Sequence, residues 1–574
     1  MNKFFQRERD AVYLMALLLA LLAGGCLRIW GLADQVWSDD EWHGFYYVLG
    51  KSPGWLLTHF SIPGATCIPL NFYTWLLGAC GLGSETLLRL PSLIGGVLCV
   101  IACPVLAAKI IGPRRAAWLA LLLATAPILI FYSRVGRPYS AVALLGFAAI
   151  LLAARWLQTG GLRPALFYAA TGVLAVYFHL FAVVTVAAPA LVALGFHLHA
   201  YCRKQPQATT PPTVRHWLLV AAGMSVVGAI LILPALIHSL QSTFFTIALK
   251  GTLKLQSLPH LATLISGTAS PALVILFWLL LIIGAVDQCR RRLQFGILLV
   301  SLFPLHALAL MLSRPDASQS AIVLARYCLP LVPVSLLLVA CGLQTVLEFL
   351  TTRLALRPAL QVVLASGFIV ALTVAGPLPQ CYVAPNNFTN HGAYQHDYSP
   401  IRWQRSFYSD LTPADFPLVT TIRVDEVSPF YAQLAEAANQ RAVVEYPMLI
   451  GDHFNPLYYY QHFHRRPVLV GYTADVKMAQ GLAAGNIFGN TYIDQVLSLV
   501  DQPSRWKFRN LVAMNDLAAM RERHVEYIIL HKRFEAQLSL VTPPPPALEG
   551  LCREYQKLLG APAYEDVNLI VFRL

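Results

Sequence analysis

The chain has 574 residues, of which 57% are hydrophobic and only 12% charged. Soluble globular chains carry about 25% charged residues, so a purely soluble protein is excluded. The net charge of +13 divides into +15 for residues 1–378 and −2 for residues 379–574. A basic excess confined to the apolar part follows from membrane topology, and no nucleic-acid partner is expected.

A spanning helix needs about 20 mostly apolar residues, because lipid offers the backbone no hydrogen-bond partners. In chain order, such stretches lie near 11–31, 88–110, 115–133, 138–157, 165–179, 181–200, 217–237, 270–286, 294–312, 328–348 and 359–378. The fifth and sixth read either as two helices or as one long bent one. The first runs into Arg28 and Trp30 without a small-x-small cleavage site, which argues against a removable signal peptide.

With the N-terminus inside, every inside segment holds at least two basic residues: Lys3, Arg7 and Arg9; Lys109, Arg114 and Arg115; Arg155 and Arg163; Arg203, Lys204 and Arg215; Arg290, Arg291 and Arg292; Arg353 and Arg357. That is the positive-inside bias. Nine others (Arg28, Lys51, Arg89, Arg134, Arg137, Lys250, Lys254, Arg314 and Arg326) fall outside or at outer helix ends, where topology gives no reason for them. An odd number of spans then leaves residues 379–574 outside the cytoplasm. The chain reads as a polytopic α-helical membrane protein of about 11 transmembrane helices (residues 1–378). A soluble α/β domain follows outside the cytoplasm (379–574).

After the first helix come Trp37-Ser38-Asp39-Asp40-Glu41-Trp42-His43-Gly44-Phe45, with three of the ten acids of residues 1–378. Adjacent carboxylates repel one another and aromatic neighbours reduce their solvation, so at least one pKa should rise. A carboxylate so tuned at a lipid–water boundary suits accepting a proton from an incoming hydroxyl or amine. A solvated acidic turn that caps a helix is the plainer alternative.

Asp40-Glu41-Trp42-His43 resembles the Asp-Glu-x-His of protein O-mannosyltransferases and the Asp-Glu of bacterial family 39 glycosyltransferases, at the same place after helix one. Four further segments follow in the order those enzymes show: Pro69-Leu70-Asn71-Phe72-Tyr73, Leu88-Arg89-Leu90-Pro91-Ser92-Leu93, Tyr132-Ser133-Arg134-Val135-Gly136-Arg137-Pro138-Tyr139 and Arg326-Tyr327-Cys328-Leu329-Pro330. The resemblance covers residues 1–345. It implies the GT-C architecture, with an active site facing the exterior and a sugar carried on polyprenyl phosphate. It also implies an inverting transfer in which Asp40 is the general base. Glu41 and His43 orient acceptor or sugar beside it; anchoring the alignment on Trp37 instead favours Asp39 as the base. The His-Pro-Pro of many bacterial relatives is replaced by Cys67-Ile68-Pro69, so that histidine is lost or supplied by His59. The tail is not the β-trefoil insert of the eukaryotic enzymes, so protein O-mannosylation does not follow.

On such a donor, negative charge builds on the departing phosphate, and guanidinium groups fit phosphate oxygens bidentately. An arginine at an outer helix end is costly unless something anionic meets it. Arg134, Arg137 and Arg326 meet that description, although anionic headgroups would satisfy them too. Tyr139 and Tyr327 can add hydrogen bonds or belong to an interfacial aromatic belt. His179 ends helix five at the outer face, as in many relatives, and is either a substrate-binding group or a satisfied interfacial histidine. Lys250 and Lys254 lie in an apolar-with-basic loop that steers phosphate or binds headgroups. No obligatory metal is expected, while a divalent cation on Asp39, Asp40 and Glu41 stays open. Two rival readings remain. A transporter of lipid-linked sugars would place charges near the midplane, and a non-catalytic bundle would merely anchor the exterior domain.

In the tail, strands are expected near 417–422, 441–446, 467–472, 527–530 and 568–572, alternating with helices at 428–438 and 514–523, which suggests a partly parallel sheet. The prolines of 543–546 form a stiff loop. The aromatic stretch 458–466 either stacks on sugar rings or packs beneath the sheet. Without a CxxC pair, structural zinc is not expected. The spacing leaves Cys67 with Cys80, or Cys381 with Cys552, as disulfide candidates in an oxidising exterior.

Overall fold

The computed structural model describes residues 2–32, 41, 48, 51–60, 67–80, 82, 85–203, 212–239, 257–268, 270–315, 321–354, 358–379, 427–439, 441–446, 464, 466, 517, 521, 524–532 and 548–574. The chain divides into two units. The first comprises Met1–Leu32, Ser52–Tyr73 and Arg89–Pro379, and the second Ala33–Lys51, Thr74–Leu88 and Gln380–Leu574.

The helices run in order as α1 (Asn2–Ile29), α2 (Pro53–Thr58), α3 (Ile68–Ala79), α4 (Glu85–Ile111), α5 (Pro113–Thr125) and α6 (Pro127–Ser133). There follow α7 (Tyr139–Thr159), α8 (Leu162–Phe178), a single 3-10 turn (Leu180–Ala182), α9 (Val183–Cys202), α10 (Val214–His238) and α11 (Ser257–Ser266). The series closes with α12 (Pro271–Arg291), α13 (Leu293–Ser313), α14 (Ala321–Tyr327), α15 (Leu331–Leu354) and α16 (Pro358–Val374).

All the apolar stretches expected from the sequence fall on these helices. Among the described residues, seven helices are long and apolar enough to cross a membrane, or eight if α5 and α6, bent by 59°, form one span. Tyr13–Ile29, Leu162–Phe178 and Ala359–Val374 are apolar but shorter. Leu162–Phe178 and Ala359–Val374, about 25 Å long at 1.5 Å per residue, fall short of the ~30 Å hydrocarbon core, whereas Tyr13–Ile29 is part of the 28-residue helix α1. The stretch 165–200 is two helices. The chain breaks at His179, whose extended backbone (φ −160°, ψ 119°) ends α8 before the 3-10 turn.

The bend between α5 and α6 has a chemical cause and a remedy. Pro127 has no N–H, so the Leu123 carbonyl loses its helical donor. Arg28, buried at the end of α1, supplies the missing donors. Its guanidinium donates to the Leu123 oxygen at 3.1 Å, the Ala124 oxygen at 3.1 Å and the Gly24 oxygen at 2.9 Å, and its Nε to Ser133 Oγ at 3.2 Å. Gly96 must be glycine here, because a Cβ would overlap Ser133. Arg28→Met should destabilise the bundle by about 1–3 kcal/mol for each carbonyl left bare. A lowered melting temperature in detergent, with the protein still inserted, checks this.

Helix α15 is the most buried span, and it meets α12 where Gly284 and Gly342 face one another. A Cβ on either would strike the facing backbone, so small residues permit the close approach. At one end of the bundle Arg115 and Arg291 share Asp287 and Glu348, with N–O distances of 2.6–3.7 Å. Two of the few acids in this unit are thus paired with arginines of the expected inside segments.

The second unit carries a four-stranded sheet, order β1-β2-β4-β3, flanked by α17 (Pro429–Glu436) and α18 (Leu548–Leu559). Strand β1 (Ala442–Tyr446) pairs parallel with β2 (Val525–His531). Strand β4 (Leu569–Arg573) is antiparallel to β2 and to the short β3 (Tyr564–Glu565), so the partly parallel sheet is present. The expected strands 417–422 and 467–472, the polyproline stretch and most of the helix 514–523 lie outside the described residues.

Glu445 on β1 is wholly buried and gathers donors from three elements. Tyr431 of α17 donates to Oε2 at 2.8 Å, His531 of β2 lies 2.6 Å from Oε2, and His464 lies 3.2 Å from Oε1. His464 and Arg466 therefore pack inside this unit, Arg466 on Glu526 at 2.9 Å. Burial alone raises the Glu445 pKa, but the hydrogen bonds from His464 and His531 outweigh it and hold the carboxyl at about 2. A depressed carboxylate contributes its full stability above the unfolded value of about 4.3 and loses it as pH falls toward 2. Glu445→Gln should cost this unit about 3–5 kcal/mol near neutral pH, as expected for breaking a buried charged network. Hydrogen exchange at β1 and β2 in the full chain, followed from pH 7 to 3, checks both magnitude and sign.

Candidate active site at one end of the helix bundle

Five of the binding residues expected from the sequence come together in the first unit. The segment 134–138 turns between α6 and α7, His179 breaks α8 from the 3-10 turn, and Arg326 and Tyr327 close α14. Tyr139, at the first turn of α7, is the hub. The Arg137 guanidinium carbon lies 5.9 Å from its ring centroid and that of Arg326 5.8 Å. Both are within cation–π range. The His179 ring lies 5.9 Å from Tyr139 and 6.0 Å from Tyr327. Three helix boundaries far apart in sequence thus meet at one end of the bundle, and two guanidinium charges converge on one aromatic ring. Two guanidinium charges about one ring make a locus of positive charge suited to an anion such as a phosphate.

The surrounding residues fix this geometry. Ser92 donates from Oγ to the Arg137 carbonyl at 2.7 Å, and Ser140 donates back to the Ser92 carbonyl at 2.6 Å. Arg89 donates to the Leu32 carbonyl at 3.3 Å. Through Ser92, α4 therefore holds the arginine turn. Phe181 packs on Tyr327 at 5.3 Å and on the buried His306 at 5.9 Å, and it donates its backbone N–H to His179 Nδ1 at 3.3 Å. Sequence reasoning passed over Phe181 and Ser92. The only signal for either was the position of Ser92 inside a segment noted for its order along the chain.

Other expected residues have different places. Arg134 is buried, and its guanidinium donates to the carbonyls of Trp30 at 2.8 Å and Arg28 at 3.0 Å, closing the C-terminal end of α1. Its position is that of a helix cap. His59 stacks on Trp55 at 4.7 Å, lies tilted against His238 at 4.6 Å, and bonds the Trp55 carbonyl. Cys67 is buried within the electrostatic reach of Arg137, and burial pushes its thiol up to about 12, so it stays protonated at neutral pH. The candidate bridge to Cys80 is not formed. Both are free thiols, at opposite ends of α3.

No family profile matches the sequence, and no characterised protein matches it in sequence. Among solved structures, similarity extends to ArnT from Cupriavidus metallidurans in the apo state, with a TM-score of 0.49 and 14% identity, over 100% of this chain and 98% of that one. The same protein bound to undecaprenyl phosphate gives a TM-score of 0.47 at 14% identity, with the same coverage. The Archaeoglobus fulgidus oligosaccharyltransferase, in a structure with an acceptor peptide, gives a TM-score of 0.40 at 16% identity, over 91% of this chain and 69% of that one.

Of the acidic loop, Glu41 is described and is buried in the second unit. Asp39, Asp40 and His43 lie outside the described residues, as do Lys250, Lys254 and Cys381. Among the described residues no group of three or more His, Cys, Asp or Glu side chains is arranged to hold a metal ion.

Proposed function

We propose that the chain is a GT-C glycosyltransferase that moves a sugar from a polyprenyl-phosphate donor to an acceptor at the periplasmic face of the inner membrane, with inversion. The observation that carries this reading is the convergence of Arg137 and Arg326 on Tyr139, beside His179 and Tyr327. Together with the ordered segments of residues 1–345, it favours transfer over a plain membrane anchor, which has no use for clustered cations at helix ends.

In the reaction, an acceptor hydroxyl or amine attacks the anomeric carbon opposite the phosphate. The bond from that carbon to the phosphate oxygen breaks, and its electron pair goes to the phosphate, which Arg137 and Arg326 stabilise. The acceptor proton passes to Asp40, or to Asp39 under the alternative alignment, while Glu41 and His43 orient acceptor or sugar. Tyr139, Tyr327 and His179 shape the phosphate end of the donor. Arg134 acts by closing the end of α1.

Purified protein incubated with labelled polyprenyl-phosphate sugars and membrane extracts tests the reading. The expected result is label in a lipid, glycan or protein acceptor, identified by mass spectrometry, with release of polyprenyl phosphate. Donors left intact across hexose and pentose forms would contradict it.

A further inference from the structure

Away from that site, a groove of about 590 Å³ runs between α12 and α13. On α12 its wall is Trp278, Ile282, Val286 and Arg290, an unbroken i, i+4 row along one helix face. Val300 and Pro304 line the α13 side. Ile282, Val286 and Val300 are 56%, 44% and 41% exposed, so the groove opens outward along an apolar surface. Its one charged lining residue is Arg290, at the last turn of α12. Arg291 next to it is paired with Asp287 and Glu348, whereas Arg290 forms no ion pair among the described residues.

We propose that this groove binds one acyl chain of an anionic glycerophospholipid, with the phosphate of that lipid on Arg290. Dimensions select the occupant. From Trp278 to Arg290 is twelve residues, about 18 Å along the helix. One leaflet's hydrocarbon is about 15 Å deep, half of the ~30 Å core. The slot is therefore as long as one tail of a lipid whose headgroup lies level with Arg290. A cation at the headgroup end of an apolar slot selects for net negative charge. Under the topology proposed above this is the cytoplasmic leaflet, opposite to the donor site, although the binding does not depend on which leaflet it is.

The test uses delipidated full-length protein in detergent, with melting temperature and native mass spectrometry as readouts. The probes are phosphatidylglycerol, phosphatidylcholine with identical tails, and undecaprenyl phosphate. Phosphatidylglycerol should bind at least tenfold more tightly than phosphatidylcholine. Arg290→Gln should remove that preference, and Val286→Trp, which fills the slot, should weaken both phospholipids. Undecaprenyl phosphate binding should be unchanged by either substitution, which separates this site from the one at Arg137. Equal binding of the two phospholipids to the unsubstituted protein would overturn the proposal. So would an undiminished preference in Arg290→Gln, or a loss confined to undecaprenyl phosphate.

Discussion

Arg137→Ala and Arg326→Ala are each expected to lower kcat/KM for sugar transfer by about 10²–10³-fold, the usual effect of removing one preorganised donor from a developing anion. The two guanidiniums flank one ring from different helix boundaries, so neither stands in for the other. Lysine at either position should restore only part of the loss, because an ammonium keeps the charge and loses the fork. Arg134→Ala should behave differently. That guanidinium is spent on the carbonyls of Arg28 and Trp30, so the loss should appear first in melting temperature. Kinetics and thermal stability measured on the same three variants separate anion binding from architecture.

Asp40→Asn is expected to lower turnover by about 10²–10⁴-fold, the range for a general base, while the protein still accumulates in the membrane. The amide keeps size and polarity but cannot take a proton. Asp39→Asn resolves the competing alignment, since only one of the two should show the full loss. If both variants transfer sugar at near-normal rates, proton transfer from the acceptor does not use this loop.

The helices were legible because each is a run of apolar residues close to the length of the bilayer, and lipid leaves the backbone no alternative. Legible too were β1, β2 and β4, whose β-branched runs stand between polar segments. The break at His179 was legible only as one of two alternatives, because an apolar run looks the same bent or broken. Only the backbone of His179, held by its acceptance of the Phe181 N–H, decides it. Arginine roles divided along similar lines. Arg28, Arg134 and Arg137 look alike as basic residues at outer helix ends, yet two of them serve carbonyls freed by a proline break and a helix terminus. Such partners depend on which helix ends meet, and no local spacing encodes that. The Glu445 cluster was invisible for the same reason. Its four members come from residues 431, 445, 464 and 531 and become neighbours only when β1 pairs with β2.

Equilibrium binding of undecaprenyl phosphate to purified protein and to the Arg137→Ala/Arg326→Ala double variant tests the phosphate site most directly, because it needs neither the sugar nor the acceptor. The account predicts saturable binding that weakens with salt and falls at least 100-fold in the double variant, with its melting temperature preserved. Equal affinity in the two proteins would mean that the paired guanidiniums around Tyr139 do not hold the lipid phosphate.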